Sequence, residues 1–592
     1  MILWSLCAVA MGVDLVVGPS PMGVYASVTD ALRDANDGDR ILLLSGTYVG
    51  SFVVADLDVV IESVEPRGAI LQPDDEFGHV VEGSGAFVTL RGVVIDGRGT
   101  YPGFWVQNRG HLQLSRVEVR DVKRASFVLD GAAVAVSANS SLSVVDSEFE
   151  SGHAADDGGF IAMRTDSGAL TVSRSRFRLG IAEQNGGAIY CNGSAECRIS
   201  ESTFEFNIAG VGDEGGGGAL WVAGTRTRVE RSRFCDSAAH QGGATYAVNS
   251  EVEIIATLFD GNRAILQGGG LFAGQTNGLA TQGNAVVRSL GNVWRGNLAD
   301  RGGGGFFRGD ADWIGHGDIY ANNASSVPTP WSALEAEPYN NGNPSALLDW
   351  NLLFDFSGGT PSTLEDAPPS TVVSNLILAD PQFLGDGPCD PRAAQFAAGS
   401  PAIDVYSAAP DPRNPPTLVY PDVLLVDRDG TVADLGLWST QVGMADADED
   451  GFIAGIEDCD DANPNIHPGA TETVANGTDE DCDGGDLCFA DPDGDGVGKV
   501  GMVQASTNLS CAEPGEASVA VGESVGPDDE PATPPDSVDE TMSPQPDEAI
   551  DAPAFWFCQT ARPPAGSLVG LGLLMLTVGL RRYSPAGSRG VE

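Results

Sequence analysis

Positive charge is what this 592-residue chain has least of: 32 Lys and Arg stand against 83 Asp and Glu, a formal net charge of −51. That balance disfavours a nucleic-acid-binding role, because phosphates have to be met by a positive face. It fits a soluble surface protein or a cation binder. Histidine is scarce as well, and six scattered residues leave little for imidazole-based metal or acid–base chemistry. Helical patterning is missing between Ser147 and Phe307, where no window of about 11 residues keeps a period of roughly 3.6. Long apolar runs are missing too. The longest, from Ala565 to Leu580, falls short of the roughly 20 residues of a comfortable membrane span.

What is present is glycine, 77 residues of it, and two short phrases that keep returning. The first is a small polar residue, a spacer and an aromatic: Ser147-Glu148-Phe149, Ser175-Arg176-Phe177, Ser202-Thr203-Phe204, Ser232-Arg233-Phe234, Thr257-Leu258-Phe259 and a degenerate Asn292-Val293-Trp294. The second is a glycine run entering apolar residues, as in Gly186-Gly187-Ala188-Ile189 and Gly217-Gly218-Ala219-Leu220. A fixed register with variable spacing is what stacked units tolerate, since insertions leave through loops. Flanking segments such as Glu251-Val252-Glu253-Ile254-Ile255 alternate, so the units are strands. Stacked parallel strands with glycines at the tight corners make a β-solenoid, with Phe149, Phe177, Phe204, Phe234 and Phe259 inward and Asn207, Asn262 and Asn297 laddered at a corner.

With these phrases the chain resembles the right-handed parallel β-helix of the pectin-lyase superfamily, and its repeats resemble those of polymorphic outer-membrane proteins. The expected fold is therefore all-β. A short helix beginning at the Ser27-Val28-Thr29-Asp30 capping box, with Val28, Ala31, Leu32 and Ala35 on one face, resembles that family's N-terminal cap. Ser325 to Pro344, with four prolines, reads as a long lateral loop. The closing coils should end near Val442. Asp156-Asp157 and Gly315-His316-Gly317 resemble fragments of the polygalacturonase signature. They lie far apart and lack its companion phrases, so a turn Asp pair and a loop His are the expected identities.

From Gly443 to Asp551 there are 29 Asp and Glu, one lysine and no arginine. Asp446, Asp448 and Asp450, Gly451 at position 6, Phe452 and then Glu457 at position 12 fit a twelve-residue Ca²⁺ loop. Two further runs, Asp479, Asp481, Asp483 and Asp491, Asp493, Asp495, lack the final Glu. The block from Asp458 to Gly484 resembles the MopE-type metal-binding repeat of secreted bacterial proteins. Oxygen ligands alone favour hard Ca²⁺. Ten cysteines point to an oxidising compartment. Candidate disulfides are Cys459 with Cys482, Cys488 with Cys511, and Cys191 with Cys197.

Residues 1–12 read as a signal peptide's apolar core without the usual preceding Lys or Arg. The β-helix is expected over 13–442, the Asp/Cys-rich metal-binding module over 443–512 and an acidic, Pro-rich disordered linker over 513–553. Residues 554–592, with Cys558, an apolar run and Arg581-Arg582, resemble a MYXO-CTERM-type sorting segment. It implies attachment at a membrane or cell surface near Cys558. The functional expectation is a cell-surface β-helix that binds glycan or extracellular matrix without catalysis. The alternative is a polysaccharide lyase or hydrolase, which would need acid–base groups gathered on one face.

Overall fold

The computed structural model describes residues 12–403 apart from 20–22, 126–129, 194–195, 211–214, 275–284, 326–333, 338–343, 350, 355–371, 375, 386–394 and 398, together with residue 435 and short stretches within 463–521. The chain divides into two units, Met1–Ser524 and Val525–Glu592, and every described residue belongs to the first.

Alternating short strands and corner glycines produce three parallel sheets wrapped around one interior. One coil runs through Asp58–Ser63, Ala69–Gln72 and His79–Glu82, and the next begins at Phe87–Arg91, paired in register on Asp58 to Glu62. Among the described residues the first sheet has 14 strands, from Asp14–Val17 to Val372–Ser374. The second runs from Gly46–Val49 to Ile377–Leu378, and the third has 11 strands, from Val53–Ala55 to Leu334–Glu337. The protein is a parallel β-solenoid.

The recurring aromatics lie on the second sheet and point inward. Phe149, Phe177, Phe204, Phe234 and Phe259 are fully buried. Their ring centroids are separated by 4.5, 5.0, 4.7 and 5.0 Å, and Trp294 continues the stack at 4.0 Å. The small polar residue of the phrase turns the corner before each ring. Ser147 N–H donates to Ser175 Oγ, Ser175 N–H to Ser202 Oγ, Ser202 N–H to Ser232 Oγ, and the ladder continues through Thr257, Asn292, Asp318 and Asn351. The serine hydroxyls donate in turn to a carbonyl of their own coil, as Ser202 Oγ does to Ser200 O at 2.7 Å. A second ladder follows the rings: Asn262 Nδ2 donates to Asn297 Oδ1 and Asn297 Nδ2 to Asn323 Oδ1. Corner backbone that would otherwise be buried and unpaired is thus satisfied from coil to coil.

The glycine phrase has a steric cause. Gly186 has φ +64°, and a Cβ on Gly187 would stand 2.0 Å from the carbonyl oxygen of Gly218 in the next coil. Any side chain there would force the coils apart.

The cap is the helix Val28–Asp34, with Asp30 N–H donating to Ser27 Oγ at 3.1 Å and Val28 and Ala31 buried on the first coil. One segment departs from expectation. Within the proline-bearing stretch read as a loop, Leu334–Glu337 forms a strand paired with Gly305–Arg308. Leu334 is buried there and Glu335 is ion-paired with Arg301. The backbone register and one apolar anchor outweigh the prolines around it. Past Leu378, Phe383 and Phe396 meet in an antiparallel bridge, and Ala402 and Leu435 are buried with Phe396. The expected end near Val442 lies outside the described residues.

Candidate functional site

Most of the sequence-derived metal ligands cannot be placed. Asp446, Asp448, Asp450, Phe452, Glu457, Asp481, Asp483, Asp493 and Asp495 lie outside the described residues, as do Cys459, Cys482 and Cys558. Asp479 and Asp491 are described, and Asp491 is buried. Around them Glu480 accepts from Thr473 N–H at 3.0 Å and Asp486 from Gly477 N–H at 2.7 Å. A disulfide joins Cys488 to Cys511, beside antiparallel strands Leu487–Ala490 and Val503–Ala505. Glu480 and Asp486 thus accept from nearby backbone.

A second disulfide joins Cys191, on the third sheet, to Cys197, on the first. Both sulfurs are buried and the bridge spans one corner of the solenoid. His316 ends a strand rather than sitting in a loop, with its Nδ1 3.5 Å from an Asp349 oxygen. It does not belong to the carboxylate cluster that Asp156 and Asp157 form with Asp130. Arg226, Arg228 and Arg231 are ion-paired with Glu251, Glu253 and Glu201.

One place does gather acid–base groups. On the outer face of the third sheet a single column reads Val80, Trp105, Ala135, Ala162, Tyr190, Trp221, Tyr246, Phe272 and Phe306, paired rung by rung. Alternation along each strand sends this column outward while Ile161 and Met163 face the core. Two alanines interrupt the aromatics, and over that step converge Asp130, Asp156 and Asp157, with one oxygen of each within 4.8 Å of the others. The glycine turns before the strands bring them there: a Cβ on Gly158 would lie 3.1 Å from that of Ala162.

The surroundings fix the carboxylates. Asp157 Oδ1 accepts from Asn185 N–H at 3.0 Å and from Asn185 Nδ2 at 2.9 Å. Asp130 Oδ2 pairs with Arg164 Nη1 at 3.2 Å. Arg124, fully buried behind the step, gives its donors to the carbonyls of Gly131 and Phe104. Burial pushes the Asp157 carboxyl up to about 7, with Asn185 opposing the rise and the Asp156 and Asp130 charges adding to it. Tyr190, beside Asp157, is held well above its ordinary value, mainly by burial and then by the Asp157 charge. On either side are aromatic pairs, Phe77 stacked on Trp105 at 5.7 Å and Tyr190 on Trp221 at 4.5 Å. Phe77 is exposed, and Trp105 and Trp221 are half-buried.

Residues 458–486 match the Cu-binding MopE family, described as "Putative metal-binding motif". A stretch of 88 residues, 14% of this chain, is 33% identical to the "Probable autotransporter YfaL" of Escherichia coli (strain K12), and it spans 7% of that protein's own length. Among solved structures, the A-module of the mannuronan C-5 epimerase AlgE6 of Azotobacter vinelandii is similar at 14% identity and a TM-score of 0.30, covering 60% of this chain and 94% of that one. Pectate lyase Pel9A is similar at 11% identity and a TM-score of 0.31, covering 73% and 97%. At such TM-scores the solenoid rests on its strand register, not on the likeness.

Proposed function

We propose that this chain is a surface-displayed β-helix that binds glycan, without cleaving it, on the outer face of its third sheet. The observation that carries the reading is the outer column, where exposed Phe77 and half-buried Trp105 on one side and half-buried Trp221 on the other flank a carboxylate step. From Trp105 to Trp221 is four coils, about 19 Å, enough for several sugar rings to lie across the coils. Aromatic faces take the apolar faces of sugars, and Asp156, the half-buried acid of the step, can accept from their hydroxyls. Asp130 and Asp157 are only 6% and 9% exposed. Acids so sealed are poorly placed to reach a glycosidic oxygen.

Display at the cell surface belongs to the same reading. It is supported by the local likeness to an autotransporter, the MopE-type motif and the apolar C-terminal segment with Cys558. The segment 1–12 would direct export, and 554–592 would attach the chain to a membrane. The 443–512 module would fold around Ca²⁺ held by Asp446, Asp448, Asp450, Phe452 and Glu457, with Asp479, Asp481, Asp483, Asp491, Asp493 and Asp495 contributing. Extracellular matrix is an equivalent partner class, presenting acidic glycans of the same chemistry.

The test is binding of the full chain to a panel of uronate-containing and neutral polysaccharides, with product release followed in parallel. Binding that falls about tenfold in Trp105→Ala and Trp221→Ala, a loss of roughly 1.4 kcal/mol, supports the proposal. No binding to any member would overturn it. One observation favours the second reading, a lyase or hydrolase: Asp130, Asp156 and Asp157 gather beside Tyr190 and Arg164. Release of unsaturated or reducing ends, lost in Asp157→Asn, would establish that reading instead.

A further inference from the structure

Asp130 and Asp157 occupy equivalent places in successive coils, ahead of the paired residues Val134 and Ile161, and Asn185 follows ahead of Ile189. Backbone bonds keep this alignment: Gly131 N–H donates to Asp157 O and Gly158 N–H to Asn185 O. Further along, the same rung is filled by Gly216, Gln241 and Gln267, where amides satisfy one another. Asn185 Oδ1 accepts from Gly216 N–H at 3.1 Å, and Gln241 Nε2 donates to Gln267 Oε1 at 2.8 Å. An amide ladder closes because each side chain carries both a donor and an acceptor. Two ionised carboxylates on adjacent rungs carry acceptors only, and they repel.

Among the described residues the conflict is only partly resolved, the Arg164 and Arg124 charges opposing it at Asp130. Arg164 meets one oxygen of Asp130, while the other, Asp130 Oδ1, is sealed from solvent and meets no donor. Asp130 is more than nine-tenths buried. Asp156 adds a third carboxylate from the partly open side. A buried anionic oxygen without a donor is costly unless a cation sits against it.

We propose that Asp130, Asp156 and Asp157 hold a hard divalent cation of the Ca²⁺ class at the step in the outer column. The ligand set is all oxygen, with no thiolate or imidazole in the cluster, which excludes a preference for soft or borderline metals. The site lies on the solenoid, separate from the acidic module, and it stands whether or not a glycan binds alongside.

Terbium(III), a calcium-sized probe, tests it in the full chain without polysaccharide. Tyr190, close enough to Asp157 to feel its charge, and Trp221, stacked on Tyr190, are sensitisers at the site. The wild type should show sensitised emission that Ca²⁺ displaces. The Asp130→Asn/Asp157→Asn double variant should lose at least about half of it, the remainder coming from the acidic module. Replacing two acids by amides extends the neighbouring ladder, so the variant should fold. In chelator it should melt no lower than the wild type, yet its melting point should rise less on adding Ca²⁺. Equal emission from both proteins, or an equal rise in melting temperature, would overturn the assignment. So would a double variant that melts lower in chelator, because the carboxylates would then be stabilising without a cation.

Discussion

Two columns of aromatic rings run along the solenoid, one inside the second sheet and one outside the third. The inner column, Phe149 to Trp294, has a ring on every coil and no interruption. The outer column, Trp105 to Phe306, is broken by Ala135 and Ala162, and the polar chemistry gathers at the break. Regularity here marks packing, because each coil needs the same plug. Irregularity marks a place where the repeat has been set aside for something else.

The comparison breaks most readily in the inner column. Phe204→Asp puts an unpaired charge between Phe177 and Phe234 and should cost about 4 kcal/mol or more. Chemical denaturation would show it as a lower midpoint or loss of the cooperative transition. A tolerated substitution would mean the inner stack is not what holds the coils.

Asp318 sharpens the contrast from within. It is a fully buried acid in an otherwise neutral ladder, accepting from Asn292 N–H at 2.7 Å and Tyr320 Oη at 3.2 Å, and burial pushes it up to about 7. Its folded value lies above the unfolded value of about 3.9, so the native state binds the extra proton. Its contribution is present in full below about pH 4 and is lost as pH rises towards 7. Asp318→Asn matches its neighbours Asn292 and Asn351. It should be more stable than the wild type at pH 8, on the order of 1–3 kcal/mol, with the gap narrower at pH 5 and closed only near pH 4. Urea midpoints at the two pH values measure this.

In the outer column the effects should separate. Trp221→Ala is expected to lower stability by only about 1–2 kcal/mol, since the ring is half-buried, while glycan binding falls about tenfold. If stability falls as far as in Phe204→Asp, the outer column is a second core and not a binding face. The smallest effect is expected among the surface ion pairs. Glu251→Gln removes the pairing with Arg226 and Arg288 and should change stability by about 1 kcal/mol or less, an effect that fades with added salt.

The inner architecture was legible because each coil repeats it in the same words: a serine to turn the corner, then a phenylalanine to fill it. The carboxylate step was only half legible. Asp156-Asp157 stood out as an adjacent pair, but Asp130 lies a whole coil earlier and belongs to no motif. The signal was available in the alignment of coils, since Asp130 to Asp157 is the same one-coil step as Phe149 to Phe177. The strand Leu334–Glu337 was hidden for the opposite reason. Its flanking prolines speak for a loop, whereas its pairing is dictated by a neighbour in the preceding coil, which a local reading does not see.

Trp294 gives the inner stack an optical consequence. Its indole is completely buried against Phe259, and its Nε1–H meets no acceptor. An indole so isolated from polar partners emits at the blue edge of the tryptophan range, whereas Trp105 and Trp221, half in solvent, emit to the red. Among the described tryptophans, buried Trp294 therefore reports the opening of the coils, while Trp105 and Trp221 report what settles on the outer face.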